Sequence, residues 1–239
     1  MRPQVIIEFS RQQDRHRQSV FYSALCLVAL AFTVLVLPAS GAYFRRVFGS
    51  ADPRLVVAAT SLIGAAAFWV LLSRFDFAIL LGRATLRGVG LAALFATALG
   101  VAIVLADIII RYPEDMNVPI PQALLFYPAI GLVAEIVFHV VPLAVLLMAM
   151  GPLAVRLGKN RVVWIGMVLV AAVEPTFHVL DGHAPTWADA YTWLHVFGIS
   201  AFQLYIFRRF DFAAMYAFRL IYYAYWHILW GVIRLQFLF

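Results

Sequence analysis

Residues 122–150 read QALLFYPAIGLVAEIVFHVVPLAVLLMAM. A helix needs about 20 apolar residues to cross a bilayer, and this stretch is longer. Glu135 and His139 are its only acidic and basic residues. A core helix of a soluble protein shows a polar face, and this one shows none. The stretch therefore reads as a membrane span with a carboxylate and an imidazole inside it.

The rest of the chain repeats the pattern. Similar apolar stretches cover 19–38, 55–73, 88–110, 162–180, 190–207 and 212–238. Together they predict an all-α, polytopic transmembrane helical bundle of about seven spans. Of the 239 residues, 64% are hydrophobic and 13% charged, against about 25% charged in soluble domains. Mean hydropathy is +0.91. Alternating polar and apolar strands are absent, which excludes an outer-membrane barrel. The expected organisation is a basic amphipathic arm at 1–18, lying on the inner membrane surface, and one transmembrane domain at 19–239. A basic arm and small residues flank the first span, as in a signal peptide. The span is longer than a signal h-region of about 7–15 residues, so it reads as an uncleaved anchor.

The net charge is +6, but it is spread over loops rather than gathered in a nucleic-acid-binding patch. Arg2, Arg11, Arg15 and Arg17 precede the first span. Arg74, Arg83 and Arg87 follow the second, Arg156, Lys159 and Arg161 the fourth, and Arg208 and Arg209 the sixth. Glu114, Asp115, Asp181 and Asp189 occupy the alternate loops. This is the positive-inside pattern. It predicts a bacterial inner (plasma) membrane protein with a cytoplasmic N-terminus and an external C-terminus. Arg45, Arg46 and Arg54 break the pattern after the first span. The one cysteine, Cys26, excludes a disulfide framework and a cysteine-based zinc site.

Ionisable groups at membrane depth cost about 2.5–3.5 kcal/mol each on insertion scales, so they face a bundle interior and mark function. Glu135 and His139 are four apart, as are Glu174 and His178, and residues at that spacing share a helix face. His227 lies within the last span. Three helices could thus bring two carboxylates and three imidazoles to one cavity. That set could hold a divalent metal, with zinc the first choice, on Glu174, His178, His227 and His139, leaving a glutamate to activate water. Each Glu–His pair could instead neutralise itself, and a proton or ion pathway uses the same residue types. Asp107 and Arg111, also four apart, read as a structural ion pair. Arg219 reads as snorkelling to the inner interface, His195 as outside the cluster, and His183 as solvated. The aromatic residues around His227 read as packing that could also wall the site. Pro175 is expected to kink the fifth span.

At these residues the chain resembles the CPBP family of intramembrane proteases, which includes the CAAX prenyl endopeptidases and bacteriocin-immunity-related members. The family's three motifs are roughly EExxxR, FxxxH and HxxxN. They align with Ala134-Glu135 to His139, with Glu174 to His178, and with His227 to Gly231. The lead-in RRFDFAAMYAFRLIYYAYWH at 208–227 looks like the family's. The resemblance covers about 121–238. It implies an intramembrane endopeptidase acting on a peptide or membrane-protein substrate, with Glu135 as base and His178 and His227 as metal ligands or oxyanion donors. Four positions depart from the motifs: Ala134, His139, Glu174 and Gly231. The departures leave room for two other readings, an inactive scaffold of the immunity type that binds a partner, and a proton- or ion-coupled transporter.

Overall fold

A computed structural model describes residues 3–179 and 186–239. The described residues form helices and no strand. In order these are α1 (Pro3–Phe48), α2 (Pro53–Arg74), α3 (Arg83–Ile110) and α4 (Ala123–Glu135), which passes through a π-helical turn at Ile136–Val140 into α5 (Val141–Ala149). There follow α6 (Gly151–Leu157), α7 (Lys159–Ala171), α8 (Val173–Val179), α9 (Trp187–Arg209) and α10 (Phe212–Tyr223). A second π-helical turn, Ala224–Leu229, joins α10 to α11 (Trp230–Phe237).

Among the described residues, five segments are long and apolar enough to cross a membrane: His16–Phe48, Pro53–Arg74, Arg83–Ile110, Ala123–Ala149 and Lys159–Val179. The chain is thus built as an integral membrane protein. The other two stretches expected as spans, 190–207 and 212–238, are helical but bury His195, Gln203, Arg219 and Arg234. The stretch expected as a separate arm is continuous with α1. That helix carries Pro38, and its dihedrals leave the helical range at Ser40 (φ −124°, ψ 15°). Asp181 and His183 lie outside the described residues.

Large apolar side chains such as Leu27, Leu35, Leu62 and Leu86 project outward, as lipid-facing residues do. Packing between helices relies on small residues, because lipid gives apolar surface little reason to leave it. On α3, Gly88, Ala92, Ala96 and Gly100 form a buried stripe at four-residue spacing. It lets α10 approach so closely that a Cβ on Gly88 would stand 2.7 Å from that of Ala214. A Cβ on Gly100 would meet Tyr225 at 3.0 Å.

Buried Asp211 closes one end of this pair. It caps α10 through the Ala214 amide at 2.9 Å, accepts from the Leu81 amide at 2.8 Å, and accepts from the Thr85 hydroxyl. At the same end Lys159 pairs with Asp76, and the Arg208 guanidinium donates to the Phe75 carbonyl. Near the opposite ends of these helices, Arg46 pairs with Asp115 at 2.5 Å. Arg54 pairs with Asp52, whose side chain caps α2. The Arg54 side chain and amide, both donating to Asp52, hold its carboxyl down at about 2. Two of the three arginines that break the charge pattern therefore carry an aspartate partner.

Asp107 does not pair with Arg111. The α-helix ends at Ile110, and Arg111 turns left-handed (φ 55°), so the four-residue spacing no longer aligns the two side chains. Asp107 binds Arg234 of α11 instead, through Nε at 2.7 Å and one terminal nitrogen at 2.9 Å. The Trp230 indole and the Tyr112 amide also donate to Asp107. Arg234 continues to the carbonyls of Tyr112 and Pro113. Asp107 and Arg234 are both fully buried.

Candidate functional site

Glu135 ends α4, immediately before the first π-helical turn, and His139 lies within that turn. Single π-turns inside α-helices recur at functional sites. Glu174 lies in the first turn of α8, after a break at Ala172. The expected kink is present there. Pro175 lacks the N–H that would reach the Ala171 carbonyl, and a first turn tolerates that loss.

The residue joining these helices is Arg219 of α10. It is 4% exposed, which corrects the expectation that it snorkels to an interface. Its Nε donates to Glu135 Oε1 at 2.6 Å. Its two terminal nitrogens donate to the two oxygens of Glu174, each at 2.8 Å. The remaining hydrogens reach the Tyr223 hydroxyl at 3.1 Å and Gln203 Oε1 at 3.3 Å. All five N–H groups of the guanidinium thus have an acceptor. Gln203 Nε2 donates to Glu135 Oε1, and the Ser200 hydroxyl donates to Glu174 Oε2 at 3.3 Å.

A carboxylate offers about four lone-pair positions. On Glu174, Oε2 accepts from Arg219 and Ser200, while Oε1 accepts from Arg219 alone. His178 Nε2 stands 3.9 Å from that Oε1. The gap is too long for a hydrogen bond. On Glu135, Oε1 accepts from both Arg219 and Gln203. Its Oε2 lies 2.9 Å from His139 Nδ1, but off the hydrogen-bond direction, so neither atom is satisfied. His139 Nε2 is 3.7 Å from Glu174 and also lacks a partner.

Two cavities meet at this cluster. The larger, about 700 Å³, runs along the apolar faces of α1 and α4, past Val47, Phe126 and Phe138. The smaller, about 160 Å³, lies among α3, α9 and α10. Glu174, His178, His227, Met116 and Tyr223 line both. Arg219 and His195 line the smaller one. His195 was expected to stand apart; it bonds to Tyr222 at 3.0 Å in that wall. Glu135 and His139, both fully buried, line neither cavity. The five residues expected to converge therefore form two tiers. Glu174, His178 and His227 face open space, and Glu135 and His139 sit behind.

His227 lies in the second π-helical turn. Tyr127 stacks on its ring at 4.6 Å, and Tyr223 meets it edge-on at 4.9 Å, so some of the aromatic run does wall the site. Its Nδ1 is 2.8 Å from Asn117 Oδ1.

The cluster carries a cation of its own. Arg219 already supplies the positive charge between the two carboxylates, and Asn117 takes one nitrogen of His227. Among the described residues no three His, Cys, Asp or Glu side chains are grouped to hold an ion.

Sequence reasoning missed Ser200, Gln203 and Asn117. Ser200 and Gln203 are polar residues three apart in an otherwise apolar stretch, a visible signal. Asn117 sits in a short loop and gave none. The chain matches no family model, no curated protein and no solved structure.

Proposed function

We propose that the protein is an intramembrane endopeptidase that uses glutamate and histidine to activate water, as a divergent relative of the CPBP proteases. The observation that carries this reading is the Arg219 bridge between Glu135 and Glu174 beside His178 and His227. Its force comes from three of the four motif departures. Ala134 stands where the motif has a second glutamate, and Glu174 lies across the bridge from Glu135. His139 stands where the motif has arginine, and Arg219 reaches Glu135 from another helix. Gly231 stands where the motif has asparagine, and the Asn117 side chain packs against Gly231. The residue types missing along the chain recur around the same point.

The chemistry centres on Glu174. Its Oε1 retains a lone pair on the side of His178, which lines both cavities with it, and a water there can bridge the 3.9 Å between them. Glu174 takes a proton from that water, and the oxygen adds to the carbonyl carbon of a peptide bond. The C–N bond then breaks with its electron pair on nitrogen. His227 relays the proton from Glu174 to the leaving amine. Glu135, given the role of base by the motif alone, serves instead to hold Arg219. Positioning by Arg219 keeps Glu174 oriented. In bilayers, a quenched fluorescent apolar peptide should be cleaved, and Glu174→Gln should lower turnover by about 10²–10⁴-fold with folding intact. Unchanged turnover in that variant would remove Glu174 from the reaction.

One observation favours a second reading, a partner-binding scaffold without turnover: Arg219 engages both Glu174 oxygens. A correctly folded wild-type protein that cleaves no peptide would support it.

The reading includes seven spans, with α9 and the α10–α11 segment crossing the membrane and the N-terminus in the cytoplasm. The Arg46–Asp115 and Lys159–Asp76 pairs support the alternation of the first five spans, since each joins loops assigned to one side. Reporter fusions after Asp115 and after Lys159 should lie on opposite sides of the membrane. Finding both on one side would refute the topology.

A further inference from the structure

The loop at 111–118 is pinned on both sides of Asn117. Before it, Arg234 binds the carbonyls of Tyr112 and Pro113, and Arg46 binds Asp115. After it, the Val118 amide donates to the Tyr127 hydroxyl at 2.9 Å. Tyr127 is also the ring stacked on His227. One side chain thus fixes both the loop and the imidazole plane.

Between these anchors, Asn117 Oδ1 lies 2.8 Å from His227 Nδ1. Space for the amide comes from Gly231, one helical turn beyond His227. A Cβ there would stand 3.1 Å from Asn117 Nδ2 and 3.2 Å from its Cγ. The amide nitrogen is buried and has no partner, so the contact with His227 is the hydrogen bond this side chain makes. An amide oxygen accepts only, so the Nδ1 facing it must carry the proton. The other ring nitrogen then holds a lone pair.

We propose that Asn117 is a positioning residue that fixes His227 in its Nδ1–H form, leaving Nε2 as the proton acceptor of the imidazole. The tautomer follows from the amide orientation that turns Oδ1 toward Nδ1; its use as the relay from Glu174 rests on the endopeptidase reading above. Gly231 belongs to the same device, because a Cβ there would press on the amide at 3.1–3.3 Å.

Nitrogen-15 NMR of histidine-labelled full-length protein in bilayers tests this, with the His227 signals assigned by His227→Gln. In the wild type, His227 Nδ1 should appear as a protonated nitrogen and Nε2 as an unprotonated one. Asn117→Asp keeps an acceptor and should preserve that pattern. Asn117→Ala removes it, and Gly231→Ala displaces it; in both, His227 should shift to a mixture of tautomers or to the Nε2–H form. A wild-type Nε2–H signal, or an Asn117→Ala spectrum unchanged from wild type, overturns the proposal. Peptide cleavage is measured on the same samples. The expected tautomer without cleavage by the wild type leaves Asn117's role standing and removes the endopeptidase reading. Cleavage with the opposite tautomer does the reverse.

Discussion

Replacing Arg219 by methionine is expected to destabilise the protein by about 3–5 kcal/mol, the usual cost of removing one partner from a buried ion pair. Methionine keeps an unbranched apolar stem of similar reach but supplies no donor. Two buried carboxylates would then face each other across the bundle, Glu135 at 0% and Glu174 at 4% exposure. Gln203 and Ser200 would remain as their neutral donors, too few for two charges. Arg219→Lys should fall between wild type and Arg219→Met. An ammonium keeps the charge but not the planar fork that meets both Glu174 oxygens at 2.8 Å. Adding Glu174→Gln to Arg219→Met should recover part of the loss, because it removes one of the stranded charges. Denaturant or thermal unfolding in a mild detergent checks the series. A loss under about 1 kcal/mol, in the range of exposed pairs, would mean that Arg219 does not hold the helices together.

The second large effect is expected at the other buried ion pair. Asp107→Leu should cost a similar amount, about 3–5 kcal/mol, because it strands the fully buried Arg234. The carbonyls of Tyr112 and Pro113 accept from Arg234 but carry no compensating charge. The Trp230 indole, 2.7 Å from Asp107, would lose its acceptor as well. Unlike the Arg219 series, this change should also free the loop at 111–118, since that loop hangs on Arg234. Limited proteolysis within the loop should therefore accelerate in Asp107→Leu and stay near the wild-type rate in Arg219→Lys. Equal rates in all three proteins would contradict the assignment of Arg234 as the loop's anchor.

What the sequence conveyed, and what it did not, follows from the reach of each signal. The five apolar segments were legible because span length and the scarcity of acidic and basic residues are local properties. That Glu135 and His139 share a helix face, as do Glu174 and His178, was legible for the same reason, since four residues make about one turn. Arg219 was misread because depth was judged from its distance to the end of an apolar stretch. Its guanidinium instead lies at a three-helix junction that no single-helix pattern encodes. The Asp107–Arg111 expectation failed because a left-handed residue ended the helix one position too early for the spacing to hold. Asn117 was invisible because its partner is 110 residues away, and the glycine that admits it looked like a lost motif residue.

The Arg219 bridge has one functional corollary that can be measured directly. Wild-type protein and Glu174→Gln, each reconstituted in bilayers, are given a membrane-embedded peptide in water enriched with oxygen-18, and the products are weighed by mass spectrometry. The endopeptidase account predicts wild-type products whose new carboxyl terminus carries one heavy oxygen, with the Glu174→Gln sample left essentially uncut. An uncut peptide in the wild type, or equal labelled cleavage by both proteins, would contradict it.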